Sequence, residues 1–176
     1  MDFLTHWLAF TPVFALPLIA AALGLIINER AGLLNLGAEG IMLCGALVGV
    51  IAFLEFDNSP ALGFIFAILA GAFLGFCFGF FVVVLRTNQV LTGITFVFLG
   101  IGLTGLIGVP WVNKAFSALD PIHIPLLTDI PVIGRFLFGQ DIVVYVTFGL
   151  AILVWRFLYH TRIGLRLRAV GENPQA

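Results

Sequence analysis

The chain has 176 residues, 61% of them hydrophobic and only 10% charged, with a mean hydropathy of +1.17. A soluble domain carries about 25% charged residues, so the composition excludes an ordinary soluble protein and implies an integral membrane one. A net charge of −1 offers nothing to a polyanion, and no nucleic-acid partner is expected.

About 20 apolar residues cross the hydrocarbon core of a bilayer, and five stretches are long enough: residues 5–27, 33–54, 61–85, 90–109 and 142–159. Lipid leaves no backbone group unpaired, so each must be a helix. The fold class is therefore all-α, a polytopic bundle of about five spanning helices. The start, MDFLTHWLAF, has an Asp and no basic residue before its apolar run, unlike a signal peptide. It reads as a retained span, kinked or loosened by Pro12 and Pro17.

Asn28–Gly45 sets Asn28, Glu29, Arg30, Asn35 and Glu39 beside or inside the second apolar run. A charge in hydrocarbon costs roughly 2.5 to 3.5 kcal/mol on insertion scales. Two readings stay open for Glu39. It lines a translocation path with Asn35, four residues away on the same helix face, or it pairs with an Asn or Thr of a neighbouring helix. Gly37 and Gly40 make this span a candidate for a broken helix.

The third span carries a small residue every fourth position, at Gly63, Ala67, Gly71, Gly75 and Gly79. Such a ridge permits close helix packing, and Gly71, Gly75 and Gly79 are expected against a neighbouring helix of the same chain. Cys44 and Cys77 read as small packing residues.

Next come the polar turn Arg86–Gln89 and, one turn apart, Thr92 and Thr95. Asn88 is placed to cap the following helix. Thr92 and Thr95 are the lining candidates, expected beside the Asn35–Glu39 segment at the cytoplasmic mouth. Gly100–Gly105 matches G-x-G-x-x-G, but the dinucleotide fingerprint needs a preceding strand; here it sits late in a membrane-length run and reads as packing glycine. Residues 110–141 hold four prolines and both signs of charge. They read as a long loop whose Trp111 and Phe136 dip into the headgroup layer.

The last span ends in Trp155, Arg156 and Tyr159, followed by HTRIGLRLRAVGENPQA. By the positive-inside rule this end is cytoplasmic. Alternating sides then place six of the eight basic residues inside and leave the N-terminus outside. In the tail, Gly164 and Gly171 permit sharp turns, and Pro174 can start a short helix capped by Asn173.

Three stretches carry a family resemblance. Residues 29–46, ERAGLLNLGAEGIMLCGA, resemble the signature near the start of ATP-binding-cassette importer permeases for simple sugars, nucleosides and branched-chain amino acids. TNQVL at 87–91 resembles the TNEVI-like turn of the nucleoside and sugar branch, with Gln89 where Glu is usual. TRIGLRLRAVGENPQA at 161–176 resembles that branch's cytoplasmic loop. The resemblance implies one permease domain over 1–176, cut short inside its coupling loop (160–176), in a prokaryotic cell membrane. It implies separate ATPase subunits, a second permease subunit and an extracytoplasmic substrate-binding protein. ATPase coupling would fall to Gly171, Glu172, Asn173 and Pro174.

No Walker A pattern is present and Lys114 is the only lysine, so ATP phosphates are not cradled in that way. His6, His123 and His160 are scattered near membrane boundaries and read as interface residues. No catalytic set, metal site or cofactor is expected. Three functions remain open: an importer permease for nucleosides or simple sugars, with branched-chain amino acids as the other substrate class; a proton-coupled secondary transporter titrating Glu39; and a membrane scaffold.

Overall fold

The structure is a computed structural model and describes residues 2–114 and 140–173. Among these residues every regular element is helical. Four helices are long and apolar enough to cross a membrane: Ala38–Glu55, Pro60–Val84, Gln89–Ile107 and Ile142–His160. The 29-residue first helix, Asp2–Arg30, covers the remaining expected segment, 5–27. The chain divides into two compact units, Met1–Gly32 with Ala118–Ala176, and Leu33–Ser117.

In the first unit, α1 (Asp2–Arg30) runs through Pro12 and Pro17 as a single helical element. At 1.5 Å per residue it is about 43 Å long, enough to carry its polar last turn past the hydrocarbon. Gly32 N–H donates to the Glu29 carbonyl (3.0 Å), and Gly32 sits at φ +79°, the left-handed stop that a residue with a Cβ resists. α5 (Ile142–His160) follows Asp141 and packs against α1. Its one buried hydroxyl among the described residues, Thr147, donates back to the Val143 carbonyl at 2.8 Å, so the span holds no orphaned polar group there.

The tail differs from expectation. Arg162–Glu172 forms one helix, α6, with Thr161 as its N-cap: Thr161 Oγ1 accepts from Gly164 N–H at 3.0 Å. Asn173 is the C-cap of this helix, its N–H donating to the Ala169 carbonyl at 3.0 Å; the short helix expected from Pro174 lies outside the described residues. Gly164 and Gly171 lie inside the helix. They make room for neighbouring backbone instead of turning the chain.

In the second unit, α2 (Ala38–Glu55) packs on α3 (Pro60–Gly79) and on α4 (Gln89–Ile107). The α2–α3 turn has Asp57 and Asn58 at φ 51° and 55°, with Ser59 N–H donating to the Phe56 carbonyl at 3.0 Å. Asp and Asn tolerate the left-handed region better than most residues. The end of α3 widens into a π-helical turn, Phe80–Val84, and Arg86 at φ 52° stops the helix before Thr87. Phe78, Val82 and Phe96 form the core, flanked by Leu33, Ile41, Leu74 and Cys77. Phe78 meets Phe96 edge to face at 5.7 Å between centroids, a geometry the ring quadrupoles favour.

Two helix contacts set this unit. Where α2 crosses α4, a Cβ on Gly40 would fall on the Phe96 carbonyl and 2.7 Å from Val97 Cα, and one on Gly100 would fall 2.5 Å from Gly40 Cα. Gly100, from the rejected dinucleotide pattern, is thus a packing glycine, whereas Gly102 and Gly105 have no neighbour at that position within 4 Å. Where α2 meets α3, a Cβ on Gly49 would lie 3.0 Å from Ala67 Cβ and 3.1 Å from the Gly63 carbonyl oxygen. The small-residue ridge therefore packs through Gly63 and Ala67. At Gly71, Gly75 and Gly79 an added Cβ would meet nothing within 4 Å among the described residues, which corrects the expectation that they sit against a helix of this unit. On α2 it is Gly49 and Phe53 that meet Gly63, and Gly49 that meets Ala67.

Candidate functional site

The polar residues of the second unit gather where the segment before α2 meets the start of α4. Residues 33–37 are not helical. Asn35 Oδ1 accepts from Gly37 N–H at 3.0 Å, a local bond that competes with helix and holds the chain in a turn. Gly37 is the N-cap of α2. The second span accordingly starts at residue 38 instead of 33, and it is not broken at Gly40. Asn35 and Glu39 do not share a helix face, contrary to the four-residue spacing. Glu39 is exposed in the first turn of α2, where the helix dipole favours an anion.

Across from this turn, Asn88 caps α4 as expected, its Oδ1 accepting from Val90 N–H at 2.9 Å and Leu91 N–H at 3.2 Å. The next residue makes the connection. Gln89 Oε1 accepts from Leu34 N–H at 2.7 Å, tying the RTNQ turn to the segment before α2. The approach is close: a Cβ on Gly93 would lie 2.9 Å from Leu36 Cβ and 3.0 Å from Gly37 N. Thus the Arg86–Gln89 turn does lie beside the Asn35–Glu39 segment. Gln89 and Gly93, which sequence reasoning left out of the site, are what hold the two together. For Gln89 the only signal was its place at the family's Glu position; Gly93 carried none.

Thr92 and Thr95 lie in the first two turns of α4 with their hydroxyls engaged. Thr92 Oγ1 donates to the Asn88 carbonyl (2.9 Å) and lies 2.9 Å from Thr87 Oγ1, and Thr95 Oγ1 donates to the Leu91 carbonyl (2.8 Å). Each proton is used inside the helix, so what these hydroxyls can still offer is an acceptor lone pair. Charged residues flank them: Glu39 in the first turn of α2 and Arg86 at the start of the turn before α4. Among the described residues no group of three His, Cys, Asp or Glu is placed to hold a metal.

The remaining predicted residues fall in the first unit. On α6, Gly164 and Gly171 face inward. A Cβ on Gly171 would fall on the Arg30 carbonyl and 3.0 Å from Gly32 N, and one on Gly164 would lie 2.8 Å from Leu158 Cα. Gly171, one of the expected coupling residues, packs against the end of α1. Glu172 and Asn173 are exposed. Outward-facing Ile163, Leu165 and Val170 are more than half exposed, alternating with exposed Arg162 and Arg166. Pro174 and Phe136 lie outside the described residues.

Comparison with known proteins matches residues 8–176 to the family of permease components of branched-chain amino acid transport systems. The chain is 36% identical over 179 residues to a Haloferax volcanii protein provisionally named glucose ABC transporter permease, which covers 99% of this chain and 54% of that protein. It is 35% identical to the guanosine ABC transporter permease protein of Bacillus subtilis, over 94% of this chain and 56% of the relative. It is 34% identical to the nucleoside ABC transporter permease protein of Lactococcus lactis, over 93% of this chain and 55% of the relative. The chain thus spans about half the length of the curated relatives it matches. No solved structure matches it.

Proposed function

The chain belongs to the family of permease components of branched-chain amino acid transport systems, and on that premise we propose that it forms part of the membrane subunit of an ATP-driven importer for nucleosides or simple sugars. The observation that carries the reading is the similarity to sugar and nucleoside permeases over nearly the whole chain. The acceptor oxygens of Asn35, Thr92 and Thr95 agree with a polyhydroxylated solute. In this reading Asn35, Glu39, Thr92 and Thr95 line the path in the cell membrane, with a second permease subunit across it.

ATP is hydrolysed by separate subunits, and α6 is the coupling element. Its inner face is fixed to α1 and α5 through Gly171 and Gly164. Its outer face and end, with Ile163, Arg166, Val170 and Glu172, are left exposed for an ATPase. A helix held on one face and free on the other can pass motion from partner to span; a tail tethered only by charge cannot. An extracytoplasmic binding protein delivers the solute.

Thermal-shift screening of the cognate binding protein against nucleosides, sugars and branched-chain amino acids tests the substrate class. Stabilisation by nucleosides or sugars supports the proposal. Stabilisation by leucine, isoleucine or valine alone assigns the other substrate class and refutes it.

A further inference from the structure

The contact between α6 and the end of α1 brings together two positive charges. The guanidinium carbon of Arg168 lies 4.8 Å from the centroid of the Tyr159 ring, and that of Arg30 lies 5.9 Å from the same centroid. Cation–π attraction to one ring does not neutralise two like charges. Among the described residues neither guanidinium is paired with a carboxylate, although Glu29 and Glu172 are next in sequence to the contact. Arg168 Nε is buried without a hydrogen-bond partner, a costly state for a charged donor. Gly171 against the Arg30 carbonyl holds the two backbones close at this contact.

The position narrows what could balance this charge. Tyr159 and Trp155 form the aromatic end of the α5 span, and both are about half exposed. Aromatic belts of this kind mark the headgroup layer, where the abundant anion is a lipid phosphate. Guanidinium forks match phosphate oxygens, and an exposed ring end suits the upper acyl and glycerol region. We propose that Arg30 and Arg168, arranged around Tyr159, bind the phosphate of an anionic phospholipid, which holds α6 against the end of α1. The lipid would act as a clip at the joint between tail helix and span.

The test uses the full-length permease in its assembled transporter, in nanodiscs of phosphatidylcholine doped with phosphatidylglycerol, with retained lipid read by native mass spectrometry. Wild type is expected to retain phosphatidylglycerol in preference to phosphatidylcholine. Arg168→Gln and Arg30→Gln, on separate helices, should each weaken retention about tenfold, the worth of one charge-assisted hydrogen bond. Arg168→Lys, which keeps the charge and the fold, should recover most of it. Arg162→Gln, exposed on the same helix, should leave it unchanged. Equal loss in Arg162→Gln would mean diffuse attraction to the surface and overturns the site. So does the absence of any preference for phosphatidylglycerol, or displacement of the lipid by millimolar inorganic phosphate.

Discussion

Replacing Gly40 with alanine adds one methyl group at the crossing of α2 and α4. That methyl would fall on the Phe96 carbonyl, 2.6 Å from its carbon and 2.7 Å from Val97 Cα. Carbon atoms pack at roughly 3.5 to 4.0 Å, so the helices must separate by about 1 Å at this point. The obstructing atoms are backbone, and no side-chain rotation relieves them. Overpacking of this kind costs about 1 to 3 kcal/mol, offset in part by alanine's better helix propensity, about 1 kcal/mol in water. The same separation pulls on the Gln89–Leu34 bond and on the Phe78–Phe96 contact. Thermal unfolding of the purified full-length permease in detergent should therefore show a lower midpoint for Gly40→Ala. Gly75→Ala, with nothing within 4 Å of the new atom among the described residues, should cost far less. Because Gly100 touches Gly40, the double variant Gly40→Ala/Gly100→Ala should cost less than the two singles added, since one separation accommodates both methyls. A wild-type midpoint for Gly40→Ala, or a larger loss at Gly75, would show that this crossing is not where the helices meet.

Gln89→Leu should leave Leu34 N–H without its acceptor and speed its hydrogen exchange about fivefold, as expected for an exposed bond worth about 1 kcal/mol; Gln89→Glu should keep the protection, because a carboxylate accepts equally well. Thr161→Val removes the cap of α6 and should destabilise that helix by about 1 kcal/mol, read as faster exchange at Gly164 and faster proteolysis of the tail. Gly171→Ala should leave ATP hydrolysis running in the assembled transporter while uptake falls, because the new methyl pushes α6 off the Arg30 carbonyl; unchanged uptake would remove α6 from the coupling path. Glu39→Gln should insert and fold normally yet transport more slowly, with uptake in whole cells as the measure; wild-type uptake would take Glu39 off the path.

Hydropathy made the spanning helices legible, because lipid leaves the backbone no other option. The start of α2 was hidden by the same logic: Leu33, Leu34 and Leu36 read as span, but the Asn35 side chain bonds the Gly37 amide and holds off the helix for a turn that hydropathy does not register. The cap at Asn88 was visible, since capping depends on a local residue pattern. Which half of the α3 ridge packs was not, because that is decided by Gly49 and Phe53 on another helix. The tail departs from expectation for a related reason. Gly164 and Gly171 weaken an isolated helix, and only the neighbouring backbone of α5 and α1 shows that they are there for clearance. The joining of Gln89 to Leu34 spans 55 residues of sequence, and no local pattern announces it.

The central claim, a permease driven by ATP through α6, is tested most directly by uptake into proteoliposomes holding the full-length transporter with its ATPase subunits and binding protein. Labelled nucleoside and labelled sugar would each be offered with ATP, with a non-hydrolysable ATP analogue, and with an imposed proton gradient alone. Accumulation of one of the two solutes with ATP only, undiminished by an uncoupler, is the expected result. Accumulation driven by the proton gradient without ATP, and abolished by the uncoupler, would contradict it and make Glu39 the titrating group of a secondary transporter.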